Sequence, residues 1–242
     1  MTARSVIFSN STRGQRLYGK NVDLKVPPAS TTKVMTALLV LEKLSLDAVV
    51  TVRSSAANVQ PSKINVRPGE RYKVRDLLYA VLLSSANDAS VVLAEAVAGS
   101  EANFVRMMNK RAKQLGAQRT RFVNSNGLPM RGASQYSTAY DMYLIFRQAL
   151  KYNFFSKAIR IKYKTIYSTA GREIPLRSHN KMLFKGWRHD IYGKTGYTRA
   201  AGQCFVGVVE KDGHDLIIAM FGSRRRWDEI KRIVSRYGGV RL

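Results

Sequence analysis

Apolar residues alternate or run together at the two ends of this chain and recur at helical spacing through its middle. Arg4–Ser9, centred on Val6-Ile7-Phe8, reads as a strand, Thr12-Arg13-Gly14 as a turn and Gln15–Tyr18 as a second short strand. Pro27-Pro28 disfavour helix, and the run Val34-Met35-Thr36-Ala37-Leu38-Leu39-Val40-Leu41 after them suits a buried helix beginning near Ser30. Further helices are predicted over Val74–Leu83, over Asp88–Ala98 closed by Gly99, and over Glu101–Leu115 between the cap Ser100 and Gly116. A fifth is predicted over Ser137–Leu150, with Ser137 as its cap.

The pattern changes after about residue 158. Ile159–Thr169 alternates and is basic, like an exposed strand, and Gly171-Arg172-Glu173-Ile174 suggests a turn into another. Gly202–Glu210 and His214–Gly222 are apolar strands around the hairpin signal Lys211-Asp212-Gly213. Trp227–Tyr237 reads as a last helix with Ile230, Ile233, Val234 and Tyr237 on one face. Strands from both ends thus bracket a helical middle. This predicts an α/β (α+β) fold in one domain, 1–242. Its α/β lobe takes in about 1–29 and 159–242, its helical lobe about 30–158, and a cleft lies between them. No repeat, low-complexity tract or apolar stretch of membrane-spanning length is present. Met1–Pro28 is polar and interrupted, so no signal peptide is visible.

Charge adds a second constraint. The formal net charge is +25, spread along the chain and densest in its last third. Such a field attracts anionic lipid head groups, cell-wall polymers or nucleic acid. No nucleic-acid motif accompanies it, which argues against a specific nucleic-acid partner. The single cysteine, Cys204, lies in a strand-like run and reads as a small core residue. His179, His189 and His214 have no second ligand at metal spacing, so no metal site and no cofactor are implied.

Three short motifs carry candidate chemistry. Ser30-Thr31-Thr32-Lys33 places a hydroxyl and an amine one helical turn apart at a helix N-terminus, a plausible activated nucleophile. Ser85-Ala86-Asn87 ends an apolar helical stretch, and Lys194-Thr195-Gly196 precedes the last hairpin. The spacing of the first motif recurs at Ser178-His179-Asn180-Lys181, but there Met182-Leu183-Phe184 runs quickly into Gly186, so Ser178 is set aside.

In this order the three motifs resemble those of penicillin-binding proteins and class A β-lactamases. Pro28–Ala37, Ser85–Ala89, Asn126-Gly127-Leu128, Tyr136–Ala139, Lys194–Thr198 and Ala201–Cys204 extend the likeness. Together they are similar to the serine D-alanyl-D-alanine carboxypeptidases, low-molecular-mass penicillin-binding proteins of the S11 peptidase family with a β-lactamase/transpeptidase-like fold. The resemblance implies an antiparallel sheet flanked by helices, an all-helical lobe and an active site between them. It implies that Ser30 is acylated, that Lys33 is its base, that Ser85 relays a proton and that Asn87 binds substrate and orients Lys33. Lys194, Thr195 and Gly196 would bind the substrate end, and the N–H groups of Ser30 and Tyr197 would form an oxyanion hole. Arg199 and Arg224 are candidates for pairing with the substrate carboxylate. Asn126-Gly127-Leu128 reads as structural loop chemistry.

The implied partners are the D-Ala-D-Ala end of a peptidoglycan stem peptide, β-lactam antibiotics as covalent inhibitors, and an anionic membrane or wall surface. The implied location is extracytoplasmic. The family's frequent C-terminal β-rich domain has no counterpart after the last predicted helix. Three alternatives share the acylation chemistry or the fold. A β-lactamase needs a glutamate-held water, and Glu95, Glu101 and Glu173 lie in no suitable loop. A DD-endopeptidase or transpeptidase is not separable by sequence, and a non-catalytic wall-binding protein is disfavoured by the intact motifs.

Overall fold

The computed structural model describes residues 1–242. In chain order the elements are β1 (Ser5–Asn10), β2 (Gln15–Lys20), α1 (Lys33–Lys43), β3 (Val49–Thr51), α2 (Ser54–Ala57), β4 (Arg71–Lys73), α3 (Val74–Leu83), α4 (Asn87–Ala98) and α5 (Glu101–Gln114). Then come α6 (Ala139–Leu150), α7 (Asn153–Ala158), β5 (Tyr163–Tyr167), β6 (Glu173–Arg177), β7 (Tyr192–Thr198), β8 (Gly202–Lys211), β9 (His214–Ser223) and α8 (Arg226–Gly238). Single 3₁₀ turns occupy Ala29–Thr32 and Lys181–Phe184.

The first and last strands share one antiparallel sheet, in the order β2-β1-β9-β8-β7. Both faces of its centre are covered, so β9 is apolar without a polar alternate. Val6, Phe8, Ile218 and Met220 face α8 through Ile230, Ile233 and Val234. Ile7, Ile217, Ala219 and Val206 face the helical core, which holds α1, α3, α4 and α6. Burying each such side chain contributes about 1.5–3 kcal/mol. One core therefore runs from the inner face of the sheet into the helical lobe, and a second, smaller one lies between the outer face and α8. One edge of the sheet, β7, stays open toward the helices and abuts the Ala29–Thr32 turn.

Several helix ends follow local chemistry. Ser100 Oγ accepts from Asn103 N at the start of α5, and Gly99 and Gly116 take left-handed backbone at helix C-termini. The cap of α6 differs from expectation. Thr138, not Ser137, is the cap residue, its Oγ1 accepting from Asp141 N at 3.0 Å. The Ser137 hydroxyl is instead engaged with Thr120 at 2.8 Å, and Ser137 pairs its backbone with Val26.

Two other expectations are corrected. The strand expected over Ile159–Thr169 is shorter, Tyr163–Tyr167, and pairs only with β6 in its own two-stranded sheet. That hairpin packs on α3 through Ile166, Ile174 and Leu176. Arg172 fastens its tip to β4, donating to Glu70 Oε2 at 2.8 Å and to Tyr72 Oη at 2.5 Å. Tyr237, placed by periodicity on the buried face of α8, is exposed and stacks on Tyr18 with ring centroids 4.6 Å apart. Replacing Thr138 by Ala is expected to lower stability by about 1 kcal/mol, read as a shift in urea midpoint with unchanged slope.

Candidate active site

The turn that carries Ser30 exists because the chain must leave the Pro27-Pro28 segment and enter α1 within a few residues. Ala29 takes a positive φ of 48°, and Thr31 N and Oγ1 both donate back to Pro28 O. Ser30 is left partly open at the mouth of the cleft, while Thr31, Thr32 and Lys33 are buried. One turn of helix brings the Lys33 amine beneath the Ser30 hydroxyl, Nζ to Oγ 3.2 Å.

Lys33 has no exposed surface. Its Nζ has two further partners, Asn87 Oδ1 at 2.6 Å and the carbonyl of Asn126 at 2.6 Å. A neutral amine has two N–H bonds and one lone pair. Donating to Asn87 and Asn126 leaves the lone pair for the Ser30 O–H. Burial, and after it the nearby Lys194 cation, lower the Lys33 pKa well below the usual lysine range, opposed by Asp88. The arrangement thus favours the form of Lys33 that can accept a proton.

The Asn126 carbonyl comes from a loop that sequence reasoning treated as scaffolding alone. Asn124 Oδ1 accepts from Gly127 N, Asn126 Oδ1 accepts from Leu128 N, and Glu101 at the start of α5 accepts from Ser125 N. Thr36 of α1 donates to the Ser125 carbonyl. Gly127 has φ +89° and lies against the nucleophile turn, where a Cβ would sit 1.9 Å from the Ala29 carbonyl oxygen. The loop is therefore both structure and a direct partner of Lys33.

Ser85 and Asn87 arrive from the α3–α4 connection. Ser85 takes φ +59°, a strained setting for a residue with a side chain. Its Oγ accepts from Lys194 Nζ at 2.9 Å. Asn87 starts α4 and donates through Nδ2 to Gln60 O, so one amide hydrogen remains for another acceptor. Asp88, next to it, accepts from the backbone N–H groups of Ile64 and Val66 and pins that segment under the site.

The opposite wall is β7. Lys194 is 1% exposed, and burial, then the Arg226 cation, lowers its pKa to about 7. Thr195, Gly196 and Tyr197 line the cleft with Ser30, Ser85, His179 and Arg226, around a cavity of about 200 Å³. Gly196 was expected at the substrate end of the cleft, and it lines the cavity there. The structure adds that a Cβ there would lie 3.0 Å from Ser30 N and 3.2 Å from the Ala29 Cβ, so glycine is what lets β7 meet the nucleophile turn.

Two lining residues were not anticipated, and two expected ones lie outside this lining. Arg226 reaches across β7 and β8, Nη1 donating to the carbonyls of Gly196 at 3.1 Å and Cys204 at 2.8 Å, under the ring of Trp227. Arg199 and Arg224 line a separate depression. The three arginines 224–226 are equivalent in sequence, and only the start of α8 decides which one turns inward. His179 belongs to the tetrad set aside as a decoy. Its backbone N–H donates to Leu83 O, and the side chain lines the cleft, where burial and then Lys194 and Lys33 lower its pKa. Cys204 is buried with its thiol pushed up to about 11, the setting of an inert core thiol.

Comparison with known proteins gives a consistent picture. The family model described as D-alanyl-D-alanine carboxypeptidase, peptidase S11, matches residues 1–225. The chain is 34% identical over 226 residues to D-alanyl-D-alanine carboxypeptidase DacF of Bacillus subtilis, covering 91% of this chain and 57% of that protein. It is 34% identical over 233 residues to D-alanyl-D-alanine carboxypeptidase DacB2 of Mycobacterium tuberculosis, covering 94% and 79%. A crystal structure of D-alanyl-D-alanine carboxypeptidase from Mycobacterium tuberculosis H37Rv superposes with a TM-score of 0.90 at 32% identity, over 98% of this chain and 91% of that one.

Two predictions test the site's construction. Gly127→Ala is expected to lower stability by about 2–4 kcal/mol, since either the nucleophile turn or the Asn126 carbonyl must move; a denaturant melt reads it. Lys194 has a folded pKa of about 7 against about 10.5 when unfolded. Between those values the unfolded chain binds more protons, so this group makes stability rise with pH across that window. Wild type is expected to gain more stability between pH 7 and pH 9 than Lys194→Met does.

Proposed function

Since the chain belongs to the D-alanyl-D-alanine carboxypeptidase family of S11 peptidases, we propose that it removes the terminal D-alanine from peptidoglycan stem peptides through an acyl-enzyme on Ser30. The observation that carries this reading is the Lys33 amine, buried, flanked by a second cation and 3.2 Å from the Ser30 hydroxyl.

Neutral Lys33 takes the Ser30 proton as Oγ attacks the carbonyl between the two D-alanines. The backbone N–H groups of Ser30 and Tyr197 stabilise the oxyanion. The tetrahedral adduct collapses, the C–N bond breaks, and Ser85 passes its proton to the departing amine and is reprotonated by the proton that Lys33 took from Ser30, which leaves Lys33 neutral again. Lys194, bonded to Ser85, makes that hydroxyl a better proton donor. Thr195 and Arg226 hold the terminal carboxylate, with Arg226 taking the place first given to Arg199 and Arg224. Asn87 uses its remaining amide hydrogen on the substrate backbone. Water then releases the shortened peptide and restores the Ser30 proton. The substrate class places the enzyme outside the cytoplasmic membrane, and the charge of +25 favours contact with an anionic membrane or wall.

β-Lactams are expected to acylate Ser30 and leave slowly. No carboxylate lines the cleft to activate a deacylating water. Glu95 accepts from Ser55, and Glu101 is committed to the Ser125 loop. Benzylpenicillin is therefore expected to give one stable adduct by intact mass, absent in Ser30→Ala. Rapid consumption of penicillin without adduct would point to a β-lactamase instead. Product analysis on a crosslinked muropeptide separates carboxypeptidase from endopeptidase or transpeptidase action.

A further inference from the structure

Tyr197 walls the cleft on one side and, on its other side, a second depression of about 450 Å³ lined also by Arg4, Arg199, Gln203, Gly222 and Arg224. It lies at one end of the sheet, where the β7–β8 turn meets the start of β1 and the end of β9. Three guanidiniums and no acidic side chain line it. None of the three is in an ion pair.

The depression is built by its surroundings. Gly222 has φ +69°, and a Cβ there would lie 2.7 Å from Arg4 Cγ and Cδ, so the glycine makes the bed on which the Arg4 stem rests. Arg224 is held through its backbone, N donating to Thr2 Oγ1 at 2.9 Å and O accepting from Gln203 Nε2 at 3.2 Å. Its neighbours are spoken for, since Arg225 pairs with Asp228 and Arg226 faces the cleft. Arg224 is therefore left with free donors beside two other free cations.

Its position relative to the cleft follows from the strand. On the reading above, the substrate carboxylate lies at Thr195 and the scissile carbonyl beside Ser30 and Gly196. A peptide extended along β7 in that direction then carries its upstream residues past Tyr197 toward Arg199. We propose that Arg4, Arg199 and Arg224 form an oxyanion subsite that binds a carboxylate or phosphate carried upstream of the D-alanine pair. It sets substrate preference without touching the reacting atoms. This proposal rests on the peptidase reading.

The test uses two peptides ending in D-Ala-D-Ala that differ only upstream, one with a side-chain carboxylate and one with the carboxamide. Wild type is expected to show a KM about fivefold lower for the carboxylate, with equal kcat, and to lose this preference in 0.5 M salt. Arg199→Gln with Arg224→Gln is expected to equalise the two KM values and leave kcat unchanged, and Arg199→Glu to favour the carboxamide. A preference that survives in the double variant, or is absent from wild type, overturns the subsite. Pyrophosphate competing only against the carboxylate peptide would identify a site for oxyanions in general. A preference that pyrophosphate does not disturb would restrict the site to the substrate's own carboxylate. Benzylpenicillin, whose acyl side chain is uncharged, keeps the two readings apart. An adduct on Ser30 without carboxylate preference sinks the subsite alone, whereas absence of an adduct sinks the peptidase reading.

Discussion

Two buried lysine amines govern the architecture around the cleft. Lys33 and Lys194 are almost wholly removed from water, and neither has a carboxylate within bonding distance. Charged amines in that setting cost several kcal/mol each. The structure answers with neutral oxygen partners: Asn87 Oδ1 and Asn126 O on one amine, Ser85 Oγ and Thr195 O on the other. Dipoles of this kind accept N–H bonds without supplying the countercharge of a carboxylate, so burial and the neighbouring cations lower both pKa values. An ion pair at either position would have done the opposite.

Supplying those oxygens requires four chain segments to converge, and small residues make the convergence possible. Gly127 lets the Asn126 loop press against the nucleophile turn, and Gly196 lets strand β7 do so from the other side. The positive φ values of Ala29 and Ser85 lie in the same seam. Backbone strain has collected where hydroxyls and amines must meet, and the rest of the core, continuous from sheet to helices, holds it there. Glu101 shows the same economy. It serves as the first residue of α5 and as the clamp on Ser125, one residue from the Lys33 partner.

The positive charge divides into distinct uses. Some arginines are structural, as Arg111 on Glu42 and Arg172 on Glu70 and Tyr72. Arg226 lies in the cleft wall, and a further group stands free beside it. Fixed cations of this kind attract anions, and their field fades with salt.

How much was legible in advance depended on the range of the interaction. Helices α3, α4 and α5, the terminal strand pairs and the last hairpin were visible because apolar spacing and capping act within a few residues. The three motifs marked Ser30, Lys33, Ser85, Asn87, Lys194 and Thr195 as candidates through their resemblance to a known family. The cap of α6 was misread by one residue because Ser137 had a distant partner, Thr120. The β5–β6 strands were legible as an exposed pair, but alternation does not say what a strand packs against, and that they rest on α3 came only from the structure. Which of Arg224, Arg225 and Arg226 turns inward, that His179 lines the cleft, and that Asn126 offers its carbonyl to Lys33 across 93 positions were decided only by tertiary structure. Local pattern fixes what a segment becomes, whereas long-range packing and the need to partner every buried amine fix which of several like groups ends beside which.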